Sequence, residues 1–176
     1  MPSFTEENYL KIIYHLSLNT ESSVQTNAIA ERIQTKAASV TDMIKKLADK
    51  KLVDYKKYQG VKLTESGKNA AINIVRRHRL WEVFLVEKLN FKWDEVHDIA
   101  EELEHIKSPE LIERLDEFLA FPRNDPHGDP IPDKNGKLDN TVFIKLSKLK
   151  AGDKGLIMGV SEHSSLFLQH LEKIGL

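Results

Sequence analysis

His97, Glu101, Glu104 and His105 place two imidazoles and two carboxylates within one short stretch, VHDIAEELEH. On a single helix through about 94–106, at about 100° per residue, Glu101 lies about 40°, Glu104 about −20° and His105 about 80° from His97. All four then share one face, while Ile99, Leu103 and Ile106 turn toward a core. Imidazole nitrogen with carboxylate oxygen is a donor set for divalent Mn, Fe, Co or Zn. Upstream, RRHRLWEVFL carries His78 and Glu82 at i,i+4, again on one helix face. One such pair is usually ordinary helix surface. Two pairs followed by Glu104-His105, in consecutive helices, point to donors that converge where helices pack side by side.

The elements that must position these residues follow from periodicity. The 176 residues are 40% hydrophobic and 30% charged, as in a soluble folded protein. There is no cysteine, which excludes disulfides and thiolate ligands. No apolar run approaches the ~18 residues of a membrane span. MPSFTEENYL lacks the basic and apolar regions of a signal peptide, so a cytoplasmic location is expected. Net charge is only −1, yet residues 26–62 hold nine Lys/Arg against four Asp/Glu, and residues 94–117 hold two against ten. A basic front suits a polyanion and an acidic middle suits cations.

In the basic segment, Thr5 is placed to cap a first helix with Tyr9, Ile12, Ile13 and Leu16 inward. SLNTESS (17–23) is turn material. Thr26 is placed to cap a short helix, QTK (34–36) makes a tight connection, and a third helix buries Val40, Ile44 and Leu47. Two short helices joined by about three residues read as helix-turn-helix. LVDYKKYQGVKLT (52–64) then reads as a hairpin turning at Gln59-Gly60, which completes a winged helix. Lys36, Ser39, Thr41 and Asp42 project from the first turn of the third helix, where Ala38 is small enough to allow close approach to DNA. Lys45, Lys46, Lys56, Lys57 and Lys62 supply phosphate contacts. Thr26, at the start of the preceding helix, joins the DNA-facing set.

Thr64 opens a long helix in which Gly67 is tolerated near the first turn. Ser108-Pro109 is a cap and first-turn proline opening ELIERLDEFLAF. PRNDPHGDPIPDKNGK reads as a loop or linker. Residues of about 138–176 read as two or three strands and a helix, SLFLQHLEKIGL, in a unit too small to stand alone.

Taken together, TEENYLKIIYHL, IAERIQTKAASVTDMIKKLADKKLV, LTESGK, VRRHRLWEVFL, VHDIAEELEH and DPHGDPIP resemble the diphtheria toxin repressor and manganese transport regulator family of metal-dependent transcriptional repressors. The resemblance covers about residues 4–132. It implies a mainly α fold: a winged helix-turn-helix DNA-binding domain (1–72), a helical metal-binding and dimerisation domain with a Pro-rich linker (73–137), and a short, partial SH3-like β segment (138–176). It also implies a primary metal site at Asn8, Glu101, Glu104 and His105, joined by His78 in the manganese branch. A second site maps to His78, Glu82 and His97, and some manganese-type members instead use the pair matching Asp125 and His127. His78 thus has two assignments. A carboxylate at Glu101, where the iron branch has sulfur, leans toward Mn²⁺. Asn8 stands where Asp or Met is common, and Lys11 replaces a carboxylate of some two-metal members. Mn²⁺ or Fe²⁺ is the expected cofactor, with Zn²⁺ or Co²⁺ able to bind in vitro.

The expected function is therefore a repressor that binds a palindromic operator as a homodimer when metal is bound, in control of metal-uptake genes. Trp81, Phe84, Leu85, Leu89, Leu111, Leu115 and Phe118 supply apolar surface for the dimer. The expected switch ties Asn8 on the first helix to Glu101, Glu104 and His105 through the ion. Two other readings stand beside it: a binuclear metallohydrolase with an accessory winged helix, built on the same carboxylates and histidines, and a winged-helix regulator indifferent to metal. The first lacks HExxH, a nucleophile elbow and a phosphate-binding glycine loop. Glu162 and His163 are further candidate ligands.

Overall fold

The computed structural model describes residues 2–18, 20, 22–138 and 143–175, and its contacts divide the chain into two compact units, Met1–Val75 and Arg76–Leu176. Asn19 and Glu21 of the expected turn, and Val142 at the head of an expected strand, lie outside the described residues.

The first unit runs α1 (Phe4–Leu18), α2 (Thr26–Ile33), α3 (Ala37–Asp49), β1 (Val53–Lys56), β2 (Gly60–Leu63) and the start of α4 (Glu65–Leu89). Helix α1 begins with a capping box. Ser3 N–H donates to Glu6 Oε2 at 2.8 Å, and Glu6 N–H donates to Ser3 Oγ at 3.4 Å, which satisfies first-turn donors that lack a helical acceptor. Ser3, not Thr5, is therefore the cap. Lys50, just past α3, places Nζ 2.7 and 2.8 Å from the two Glu6 oxygens. Burial pushes the Glu6 carboxyl up, but the bonds from Lys50 and Ser3 outweigh it and hold the pKa low.

Thr26 is not a cap either. Val24 exchanges N–H···O bonds of 2.9 Å with Val61, so the chain stays extended to Gln25, and Gln25 takes the cap position. Helix α2 ends in a left-handed residue, Gln34 at φ 56°, whose neighbour Thr35 donates to Ala30 O at 2.9 Å. That turn sends α3 off as the second helix of the helix-turn-helix. Val40, Ile44 and Leu47 of α3 are fully buried with Leu10, Ile13, Ile29 and Val61. The hairpin is antiparallel, with Val53 opposite Leu63 and Lys56 opposite Gly60. It turns through Lys57-Tyr58-Gln59, one step earlier than the sequence suggests, with Tyr58 at φ 66°. Thr64 Oγ1 accepts from Gly67 N–H at 3.0 Å and so caps α4.

The second unit packs the rest of α4 with α5 (Val96–Leu103) and α6 (Pro109–Phe118). Leu80, Val83, Leu85, Val96, Ala100, Ile112, Leu115 and Leu119 form its core. Helix α5 is shorter than expected and stops before Glu104-His105. Its buried positions are Val96 and Ala100, and Glu104 continues that i,i+4 row inward. Ile99 and Leu103 are only partly buried and Ile106 is exposed, so the expected core stripe was displaced by one helix row. Ser108 Oγ accepts from Leu111 N–H at 3.3 Å, with Pro109 in the first turn of α6.

Residues 122–137 hold no helix or strand, but they are not a loose linker. Asp125 Oδ1 accepts from His127 N–H at 2.9 Å and Asp129 N–H at 3.0 Å, an Asx-type closure that folds the loop on itself.

Among the described residues the β1–β2 hairpin is the only sheet. The strands expected in the C-terminal segment do not form there. Residues 143–175 hold a 3₁₀ turn (Leu146–Lys148) and α7 (Ser165–Lys173), and Leu156, Ile157 and Met158 stay exposed. A strand needs a ladder partner for its backbone groups, and among the described residues of this segment none is paired as a strand. The segment is held instead by a close backbone crossing. Val160 N–H donates to His127 O at 2.8 Å, at a point where a Cβ on Gly128 would lie 2.3 Å from Gly159 Cα. Leu168 of α7 is buried, and Lys92 Nζ lies 3.0 Å from Glu172.

Candidate metal centre and nucleic-acid interface

The donors of the second unit form one connected chain. Glu104 is fully buried. Its Oε1 lies 3.6 Å from His105 Nε2, and its Oε2 lies 2.7 Å from His78 Nδ1. His78 Nε2 in turn lies 3.1 Å from Glu82 Oε1. The same Glu82 oxygen is 3.6 Å from His97 Nδ1, while Glu82 Oε2 is 3.7 Å from His127 Nδ1. Two groups of three present ligand atoms all within 4.8 Å of one another: His78, Glu82 and His97, and Glu82, Asp125 and His127. Donors bound at ~2.0–2.2 Å to one ion stand about 3–4 Å apart, so these separations fit a shared divalent cation.

Local structure explains the convergence. His78 and Glu82 lie one turn apart on α4, and His97 stands at the start of α5. Asp125 and His127 are turned inward by the closed loop. Arg79 fastens that loop, with Nη2 3.0 Å from Asp129 Oδ2, Nε 3.5 Å from Asp125 Oδ2, and Nη1 donating to Pro130 O. Arg77 Nε donates to the Glu104 carbonyl. Arg77 and Arg79 lie outside the expected site residues, among which RRHR contributes only its histidine. The alternation of three basic residues around His78 was the available sign that neighbours support the site.

Electrostatics agree with a cation-seeking site. Burial pushes Glu82 up, but the imidazoles of His127, His78 and His97 around it outweigh that and hold the carboxyl below the usual carboxylate range. Burial and the nearby Glu82 and Asp129 charges push Asp125 up to about 6. Burial lowers His127, and Glu82 more than reverses that.

Not every expected ligand comes together. Glu101 belongs to neither group of three; its side chain is 49% exposed and 3.6 Å from His97, which joins His78 and Glu82 from the solvent side with its own side chain 59% exposed. The single helix face expected for His97, Glu101, Glu104 and His105 is therefore split between a solvent row and a buried one. Asn8 lies on α1 of the first unit and is partly buried. His163 stacks on His127, with centroids 4.9 Å apart, and gives Nε2–H to Val160 O. Glu162 accepts from Ser164 N–H.

In the first unit, Lys36, Ala38, Ser39, Asp42, Lys45, Lys46, Lys56 and Lys57 are exposed, and Thr26 and Thr41 are partly so. Thr41 Oγ1 donates to Ala37 O, and Asp42 lies 3.5 Å from Lys45 Nζ; a base contact by either must exchange that bond. Tyr58, absent from the expected set, is 88% exposed at the hairpin tip with Lys57 Nζ 4.9 Å from its ring centre. If the hairpin lysines meet phosphates, Lys56→Ala and Lys57→Ala should each lower the slope of log affinity against log salt by about 0.9. Titration at four salt concentrations checks this; an unchanged slope would remove the hairpin from the interface.

The sequence matches two adjoining family models, "Iron dependent repressor, N-terminal DNA binding domain" over residues 3–61 and "Iron dependent repressor, metal binding and dimerisation domain" over residues 64–133. It is 34% identical over 125 residues to the HTH-type transcriptional regulator MntR of Oceanobacillus iheyensis, spanning 71% of this chain and 84% of that one. It is 31% identical over 155 residues to the iron-dependent repressor IdeR of Mycobacterium tuberculosis, spanning 84% and 67%. Among solved structures, a manganese-dependent transcriptional repressor in complex with manganese superposes with TM-score 0.84 at 42% identity, over 97% of this chain and 78% of that one.

Proposed function

The chain belongs to the iron-dependent repressor family and is a metal-dependent transcriptional repressor, not an enzyme; we propose that it grips a palindromic operator as a homodimer when Mn²⁺ or Fe²⁺ is bound, in the cytoplasm and at metal-uptake genes. The observation that carries the reading is the buried run His105–Glu104–His78–Glu82, in which imidazole and carboxylate alternate at 2.7–3.6 Å. A hydrolase would need the substrate machinery whose sequence signatures are missing. A metal-indifferent regulator would have no use for buried carboxylates faced by histidine nitrogens.

We assign Glu104 and His105, with Glu101 and Asn8, to the regulatory ion. Asn8 and Glu101 enter on the resemblance alone. His78 goes to the second position with Glu82 and His97, because its Nε2 is aimed at Glu82 while its Nδ1–H is held by Glu104. That is the familiar support of a ligating imidazole by a carboxylate on its far nitrogen. Asp125 and His127 complete the donor set around Glu82. A divalent ion supplies the charge that lets these groups share a centre without protons. Occupancy changes operator binding only as far as the ligated state is the DNA-competent one.

The domain division proposed is 1–72, 73–137 and 138–176. For the homodimer, support comes from the exposed apolar side chains Leu89, Leu111, Phe118 and Phe121 on one helical unit. Phe118→Lys should weaken self-association by about 2 kcal/mol or more if Phe118 is an interface anchor, roughly thirtyfold in Kd. Sedimentation equilibrium reads it; an unaltered dimer would move the interface elsewhere. The function itself is tested by selecting duplexes from a random library with Mn²⁺ present. Two-fold symmetric sequences whose binding needs His105 are expected; asymmetric sequences, or none, would count against the reading.

A further inference from the structure

We infer that Glu82 is a bridging ligand that holds two divalent cations at once, one on each carboxylate oxygen. This rests on the reading that Glu82 and its histidines bind metal, and goes beyond it in stoichiometry. The two oxygens face different partners. Oε1 is 3.1 Å from His78 Nε2 and 3.6 Å from His97 Nδ1. Oε2 is 3.7 Å from His127 Nδ1 and groups with Asp125.

Each buried histidine is oriented by its other nitrogen. The Trp93 carbonyl, 2.8 Å from His127 Nε2, can only accept, so Nε2 carries the proton and Nδ1 is the nitrogen presented to Glu82. At 3.7 Å that nitrogen is too far for a direct hydrogen bond and well placed as a second donor on a shared ion. Trp93 also stacks on the His127 ring at 12°, and His163 stacks at 27°, so the ring is held on its edge and faces. His78 repeats the pattern with the Glu104 carboxylate as its anchor. Two imidazoles fixed by outer partners converge on opposite oxygens of one carboxylate that is 2% exposed. A single ion on Oε1 would leave His127 and Asp125 facing Glu82 through a gap; one on Oε2 would do the same to His78 and His97. Two ions use every donor.

The test is Mn²⁺ content per chain after equilibrium dialysis, with electron paramagnetic resonance of the same samples. Wild type should show an exchange-coupled manganese pair, its hyperfine spacing half that of an isolated ion. Glu82→Gln should lose two ions per chain. His97→Ala and His127→Ala should each lose one ion and with it the coupled signal. His97 is exposed, so that variant tests the claim even if Glu82→Gln folds poorly. Loss of one ion in Glu82→Gln with no coupled signal in wild type would overturn the bridge while leaving a single Glu82 site. Loss of none would sink the site assignment as well.

Discussion

Gly67→Ala should destabilise the DNA-binding unit by about 2–3 kcal/mol, reversing the usual sign of a helical glycine-to-alanine change. In an ordinary helix that substitution is favourable by about 1 kcal/mol. Here Gly67 sits in the first turn of α4, where a Cβ would lie 1.8 Å from the Leu52 carbonyl oxygen and 2.8 Å from its carbon. The obstacle is backbone, so no side-chain rotation relieves it. Leu52 is also fixed, since its N–H donates to Leu47 O at 2.9 Å and its carbonyl accepts from Thr64 N–H at 3.1 Å. Relief must separate α4 from the residue that joins α3 to the hairpin. Urea unfolding should give a lower midpoint at similar slope. An unchanged or raised midpoint would show that the crossing is looser than described.

Glu104→Ala should abolish the metal response. Glu104 is fully buried and contacts both His78 and His105, so its removal disconnects the two ends of the donor chain. With Mn²⁺ present, operator affinity should fall to the level of chelated wild type, about 5–150-fold for the coupling usual in such switches. Arg77 still has the backbone carbonyl of residue 104 to hold, so the turn after α5 keeps one of its fastenings. Glu102→Ala, at an exposed neighbour, is the control and should respond like wild type. A Glu104→Ala protein that still tightens on DNA with metal would place the regulatory ion elsewhere.

Much of this fold was legible because its signals are local. Val40, Ile44 and Leu47 mark the buried face of α3 by spacing alone, and Ser108-Pro109 marks the start of α6. The caps of α1 and α2 were misplaced because they depend on tertiary features. Lys50 reaches Glu6 from another helix, and Val24 pairs with a strand that lies far along the chain. The i,i+4 pairs drew attention to His78, Glu82 and His97, whose ligand atoms the fold brings within 4.8 Å of one another. What spacing could not give was the end of α5 at Leu103, which separates Glu104 from the solvent row of His97 and Glu101. Nor could it show that Asp125 and His127 turn inward, since that follows from side-chain bonds within the loop and from Arg79. The tail strands were expected from short apolar runs such as GLIMGV, but strand formation needs a partner that such runs do not identify.

The most direct measurement is operator affinity by fluorescence anisotropy at fixed salt, with Mn²⁺ and with chelator, alongside calorimetric Mn²⁺ affinity with and without operator. Metal should tighten DNA binding by about 5–150-fold, and by linkage operator should tighten Mn²⁺ binding by the same factor. Equal DNA affinities in the two conditions would contradict the account, whatever number of ions the protein retains.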